Sequence, residues 1–281
     1  MCVRLLRWMS LFAILIISVT PSHVYGDDGL PDQATLSANR MRFDSRTGDF
    51  LAEGDVVIVA GGLTVQAPRG TGNAQRQEIL FDSGIAASGD WMGDPVDIAA
   101  TKLELSFVPS PTCRFQEGAK GSVGPLHVDA DRVTIILAGE GRTKFWAVGA
   151  RRLEDRARGL SFSARQVEGT FQGGTIQAMT AKGDVRLRGR PKAGGEAVDL
   201  RGDDALWSIE RGSVVLSGNV SAVQGGRALK SSSIVYFPDQ DRIEAMGSAT
   251  TKDGSTIVER ATIAIDLSKE RGASPKESGR R

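Results

Sequence analysis

Apolar and polar residues alternate at a period of two along most of this chain, and two short markers break the alternation at regular places. The first marker is a Gly-Asp or Gly-Asn step followed by valine. It stands at Gly54-Asp55-Val56, Gly183-Asp184-Val185 and Gly218-Asn219-Val220, with Gly89-Asp90-Trp91 as a looser copy. Positions 54 and 89 are 35 apart, as are 183 and 218. Gly118, Gly149 and Gly247 end similar alternating segments without the following acid or amide. Glycine before a short polar residue bends the backbone at little steric cost. Each step is therefore expected to be a bend between extended segments, where a tightly reversing β-chain turns.

The second marker lies between copies of the first and runs apolar, any, small, two polar or mixed residues, apolar, any, apolar. The windows are Leu36/Ala38/Met41/Phe43, Val65/Ala67/Gly70/Gly72, Ile98/Ala100/Leu103/Leu105, Val128/Ala130/Val133/Ile135, Phe162/Ala164/Val167/Gly169, Leu200/Gly202/Ala205/Trp207, Leu229/Ser231/Ile234/Tyr236 and Val258/Arg260/Ile263/Ile265. Their small positions are 29 to 38 residues apart, with Arg260 breaking the small-residue rule. A step of three from the small residue to the next apolar one would move side chains to the opposite face of a flat strand. Each small residue is thus predicted to be a corner at which a strand passes from one sheet to another. Repeats of this length made of β segments indicate stacked strand pairs. No window carries a sustained helical stripe, so residues 33–267 are expected to be nearly all-β, with no helix longer than about two turns.

The ends read differently. In residues 1–26, Arg4 and Arg7 precede an apolar run, Leu11 to Val19, and a small-residue site at Val24-Tyr25-Gly26, the pattern of a cleaved export signal. The run is shorter than the ~20 residues that span a bilayer, and Cys2 is not placed at its end where an acylated cysteine would be. Residues 27–32 form a linker. Residues 268–281, with five bases, two acids and no bulky apolar side chain, read as a disordered basic tail. Between these ends, the proline and glycine of 109–125 mark an interruption, either a loop or a join between two blocks, 33–108 and 126–267.

Charge and chemistry narrow the function. Loss of 1–26 removes two of the 35 basic residues and none of the 34 acidic ones, leaving 33 − 34 = −1, which argues against nucleic-acid binding. One cysteine, Cys113, and one histidine, His127, then remain. No internal disulfide can form. His127 alternates with Leu126 and Val128 and has no nucleophile beside it, so it reads as a surface strand residue. His127, Asp129 and Asp131 could supply metal ligands, but alternating acids on a strand also describe a solvent face. Gly118 to Ser122, GAKGS, lacks the order of a phosphate loop and reads as a simple loop. Asn219-Val220-Ser221 matches a glycosylation sequon, yet Asp55 and Asp184 hold the equivalent place, so bend chemistry accounts for Asn219. Arg151, Arg152, Arg156 and Arg158, with Glu154 and Asp155, read as a solvated hairpin end, or alternatively as a contact for anionic headgroups. The chain is expected not to be an enzyme and to need no cofactor or metal.

The ordered series FLAEGDVVIV, IQAMTAKGDVRL and VVLSGNVSAV, with corners such as LSANRMRF and VDADRVTI, resembles the OstA-like (LptA/LptC-type) periplasmic lipopolysaccharide-transport proteins over about residues 33–267. The resemblance implies an all-β fold, a V-shaped twisted β-jelly roll of stacked antiparallel strands, open at both ends. It implies a trough that holds lipid acyl chains and edge-strand pairing with other such proteins or head-to-tail with a second copy, in a bridge from inner to outer membrane. Met41, Phe43, Leu51, Val56, Ile58, Leu103, Leu105, Val133, Ile135, Val185, Leu187, Val215, Val220, Ile234, Tyr236 and Ile243 are the candidate inner residues. They either line a trough or fill a core. Two alternatives stay open: an LptC-like component that keeps its N-terminal segment as an inner-membrane anchor, and a β-solenoid protein acting on polysaccharide. The latter needs a carboxylate cluster, whereas the acids are spread through bends.

Overall fold

The structure is a computed structural model that describes residues 13–18, 33–60, 62–91, 94–138, 142–173, 175–190, 196–225, 227–251, 256–257 and 263–266. The linker, the tail and the near half of the last corner window, Val258 and Arg260, lie outside these residues. The chain divides into two units, 1–150 with 168–176, and 151–167 with 177–281. The strands described below pair antiparallel, and the sole helical element among the described residues is a single 3-10 turn, Pro238–Gln240. No described helix is long and apolar enough to cross a membrane.

The strands of the first unit are β1 (Ala13–Ser18), β2 (Gln33–Ala38), β3 (Arg40–Phe43), β4 (Asp49–Ala60), β5 (Leu63–Asn73), β6 (Glu78–Asp82), β7 (Ile85–Trp91), β8 (Asp94–Ala100), β9 (Lys102–Ser106), β10 (Thr112–Val123) and β11 (Leu126–Leu137). β12 (Arg142–Asp155), β13 (Leu160–Gln172) and β14 (Thr175–Gly189) contribute residues to both units. β15 (Val198–Ser208), β16 (Ser213–Gln224), β17 (Arg227–Phe237), β18 (Arg242–Thr251), β19 (Thr256–Ile257) and β20 (Ile263–Asp266) belong to the second.

Long strands are bent, and their two halves have different neighbours. In β4, residues 57–60 pair with β2 and 50–53 with β3. In β5, residues 63–66 pair with β7 and 69–73 with β6. β10 divides in the same way between β8 and β9, and β18 between β19 and β20. The corner residues do what their offset of three requires: Ala38 ends β2 and Ala100 ends β8, one residue before β3 and β9 begin. Ala130 and Val133 are both buried although an odd step separates them, as are Ala164 and Val167.

The Gly-Asp and Gly-Asn steps correct an expectation, because the chain does not reverse there. Each lies inside a strand as a two-residue bulge. Gly54 and Asp55 have φ of 74° and 49°, Gly183 and Asp184 76° and 50°, Gly218 and Asn219 74° and 49°. Two left-handed residues in succession favour glycine first and a short polar side chain second. The register slips at each one: between Glu53 and Val56, Lys182 and Val185, Ser217 and Val220. Gly118 takes part in a related slip between Gln116 and Ala119. The looser copy differs, since Gly89 has a φ of 123° and Asp90 is not left-handed.

Bulge and corner are one device. At three corners the residue after the small corner residue covers the bulge glycine of a later strand: Asn39 over Gly54, Arg165 over Gly183, Asp203 over Gly218. Asn39 Nδ2 donates to Asp55 Oδ2 at 2.9 Å, and Asn219 Nδ2 donates to Asp203 Oδ2 at 2.9 Å. A Cβ on Gly218 would lie 2.5 Å from Asp203 Oδ2. Strand pleat, bend and side-chain clasp thus recur at the sequence spacing and stack the strands in register. The true reversals fall elsewhere, in polar turns such as 44–48, 156–159 and 209–212, and after Ala60, Gln172 and Gln224, where Gly-Gly follows in sequence.

The proposed interruption is also corrected. Residues 112–123 are strand β10 within the first unit, and the GAKGS segment lies in that strand rather than in a loop. Its glycines sit at the bulge and at a close approach to Asp97 backbone, where a Cβ on Gly121 would collide. Strand β1, in the apolar run of the N-terminal segment, pairs with β2 from Ala13 against Ala38 to Ser18 against Gln33. In the full chain it covers the edge of β2 opposite to β4.

Candidate functional site

The candidate site is the apolar inner face of the strands. Twelve of the sixteen expected inner residues are buried: Val56, Ile58, Leu103, Leu105, Val133, Ile135, Val185, Leu187, Val220, Ile234, Tyr236 and Ile243. Those of the first unit share a face by register, Val133 against Phe115 and Phe115 against Leu103, Ile135 against Cys113 and Cys113 against Leu105. In the second unit, Leu187 stands against Leu200, and Ile234 between Leu216 and Ala245.

Four expected residues differ. Leu51 and Val215 are out of phase: Phe50, Ala52, Val214 and Leu216 are buried while Leu51 and Val215 are half-buried. The runs FLA and VVL present consecutive apolar residues, so alternation alone does not assign their face. Met41 and Phe43 have the expected phase, opposite Ala52 and Phe50, but lie at the end of the layer, and Phe43 is 48% exposed.

The inner side chains close on one another. Phe145 and Phe171 rings lie 4.9 Å apart, and Phe162 stacks on Trp207 at 5.5 Å. The buried polar residues among those described are Asn73, Gln77, Asp94, Thr143, Asp155, Ser213 and Ser231. Six sit at strand ends or in a turn, and Ser231 sits at a corner, where its hydroxyl donates to the carbonyls of Ser233 and Met246 at 3.0 and 2.9 Å. Ser231 apart, the middle of each inner face is therefore apolar among the described residues.

No group of three His, Cys, Asp or Glu side chains among the described residues could hold a metal ion. His127 is half-buried opposite Ser122. Cys113 is buried, and burial pushes its thiol well above the usual range, which keeps it protonated and unreactive. The arginine run resolves into two kinds of residue. Arg152 and Arg156 reach Glu154 at 2.8 and 3.8 Å, and Arg158 binds the fully buried Asp155 at 2.8 Å while lying over Trp207, so these three hold the hairpin end. Arg151 also lines an open cleft.

That cleft, about 600 Å³, lies in the second unit and is lined by Arg151, Arg186, Arg188, Asp199, Arg201 and Ser221, among others. The first unit has an open cleft of about 490 Å³, lined by Asp49, Asn73, Arg76, Glu78 and Glu104, among others. Neither was expected from the sequence, since each depends on which strands pair.

No family model and no curated protein matches the chain. Among solved structures it is similar to LptH, the LptA homologous periplasmic component of the conserved lipopolysaccharide transport device from Pseudomonas aeruginosa. The likeness has 12% identity, covers 85% of this chain and 96% of that one, and has a TM-score of 0.22. With a TM-score that low, the functional reading rests on the chain's own residues and geometry.

Proposed function

We propose that this protein is a non-enzymatic periplasmic carrier of lipopolysaccharide that receives acyl chains between its apolar inner faces and serves outer-membrane assembly. The observation that carries the reading is the inner face, which among the described residues carries one buried polar side chain at mid-strand, Ser231, whose hydroxyl bonds within its own strand and to the adjoining β18. Parting two such faces breaks no hydrogen bonds there, and an acyl chain replaces apolar protein surface with apolar lipid surface, so entry is nearly neutral in hydration. The sequence resemblance to OstA-like proteins, carried by the ordered bulge and corner series, supports the same reading.

Partner binding in this proposal uses strand edges. Cleavage of the export signal removes β1 and uncovers the backbone of β2, which then offers unpaired N–H and C=O groups to another strand-bearing protein or a second copy. Deletion of 33–43, or of 256–266 at the other end, should abolish concentration-dependent association in light scattering; unchanged association excludes edge pairing.

The functional reading is tested by mass spectrometry of lipid retained by the protein purified from its native envelope. Lipopolysaccharide should co-purify in stoichiometric amount. A protein that emerges free of lipid, or with phospholipid in proportion to its abundance in the envelope, contradicts the proposal.

A further inference from the structure

The cleft of the second unit has a charge arrangement that the fold does not need. Arg186 on β14 stands directly opposite Arg201 on β15, and Arg201 stands opposite Ser221 on β16, which in turn faces Lys230 on β17. Like charges directly opposite across a strand pair repel and destabilise the sheet. The neighbouring row sets Arg188 against Asp199, at 3.8 Å, and Arg186 reaches back to Asp184 at 3.3 Å; all four of these side chains are more than half exposed. Arg201 makes no ion pair and no hydrogen bond among the described residues. Four arginines thus line the cleft against one aspartate.

The remaining lining explains why these cations enclose a space. Ser161, Ser163 and Ser221 are short and line the same cleft as the longer arginine side chains, with Phe162, Leu187, Leu200 and Val223. Guanidinium groups bind phosphate oxygens through paired N–H donors, hydroxyls add neutral donors, and Asp199 is left as an acceptor for a hydroxyl of the ligand. The volume, about 600 Å³, is that of a site for a small molecule or a headgroup and exceeds what a lone inorganic ion fills.

We infer that this cleft binds a phosphorylated saccharide, its phosphates on Arg186, Arg188, Arg201 and Arg151 and a sugar hydroxyl on Asp199. The site does not rest on acyl-chain carriage. It lies among the exposed residues of its strands, which alternate with the buried Leu187 and Leu200, and would stand if no lipid entered between the inner faces.

The test is calorimetric titration of the full-length exported protein with glucose 1,6-bisphosphate at low ionic strength, beside glucose, inorganic phosphate and phosphatidylglycerol vesicles. One-to-one binding of the bisphosphate is expected, with no binding of glucose and at least tenfold weaker binding of inorganic phosphate. Arg201→Gln should weaken the bisphosphate about tenfold, the scale of one charge-assisted contact, and Arg186→Gln/Arg201→Gln should abolish it. Arg156→Gln, on the hairpin end, should leave it unchanged. The Arg201 side chain has no partner among the described residues, so Arg201→Gln should melt no lower than the parent, which separates a ligand-binding role from a structural one. Failure of the bisphosphate to bind, equal binding by the double variant, or binding to vesicles alone would overturn the assignment.

Discussion

The two open clefts stand on the same kind of bent antiparallel strands and treat charge in opposite ways. In the first unit the charges satisfy one another: Arg76 lies 3.8 Å from Asp49 and 3.4 Å from Glu78, Arg114 holds Glu104 at 2.7 Å, and Asn73 donates to Asp49 at 2.7 Å. Asn73 and Thr47 hold the Asp49 carboxyl below its usual range, with Arg76 adding to the effect. In the second unit the arginines outnumber the acids, and two of them face each other. The repeat supplies the scaffold and leaves the exposed positions free, so a cleft can be closed by its own ion pairs or left open to a ligand.

The largest expected effect removes the scaffold common to both. Gly54→Val or Gly218→Val places a β-branched side chain at a left-handed position and against Asn39 or Asp203, and should destabilise the protein by about 3 kcal/mol in urea unfolding. Adding Asp203→Ala to Gly218→Val should recover the collision but not the backbone strain. If Gly218→Val is as stable as the parent, the bulge is not the device that sets the register.

Next comes Arg158→Ala, which strands the buried Asp155 carboxylate and uncovers Trp207; a loss of about 2 kcal/mol is expected. Arg152→Ala on the same hairpin, an exposed partner of Glu154, should change stability by less than about 0.5 kcal/mol. Comparable losses would mean that the whole arginine run acts as one structural cluster.

The sign of smaller effects sharpens the contrast between clefts. Arg76→Ala should lower stability by about 0.5 kcal/mol, whereas Arg201→Glu, which sets an acid opposite Arg186, should raise it by a similar amount. A thermal melt of each variant reads the sign directly. Asp49 adds a pH arm. Its depressed carboxyl contributes stability that is whole above the ordinary value of 3.8 and is lost as pH falls through the lower folded value. Asp49→Asn should flatten that part of the acid limb, and an unaltered limb would show that Asp49 does not contribute.

Much of this was legible in the sequence, for physical reasons that also mark where legibility stops. Alternation names a face when one apolar residue stands between polar ones, as at Ile58 and Leu105, and fails in runs such as VVL, where only pairing with Tyr236, Val235 and Ile234 resolves the phase. The corners at Ala38, Ala100 and Ala130 were visible because an odd step between apolar positions forces a bend. The Gly-Asp steps signalled left-handed backbone, but left-handed backbone serves turns and bulges alike. Strand β10 was hidden because its glycines, at 118 and 121, are the residues that usually end strands. Arg186 and Arg201 are fifteen positions apart and meet only through register, so the open cleft could not be read before the pairing was known.

The central claim is that the inner face is a path for acyl chains. Photo-crosslinking residues at Ile58 and Ile234, both fully buried, and at the outward Val59 and Leu206, 46% and 45% exposed, test it in the envelope during active export. Capture of lipopolysaccharide at the two inner positions, with little at the outer ones, is the predicted result. Equal capture at inner and outer positions, or none at any of them in a protein that folds and associates normally, would contradict it and make the inner face a packed core.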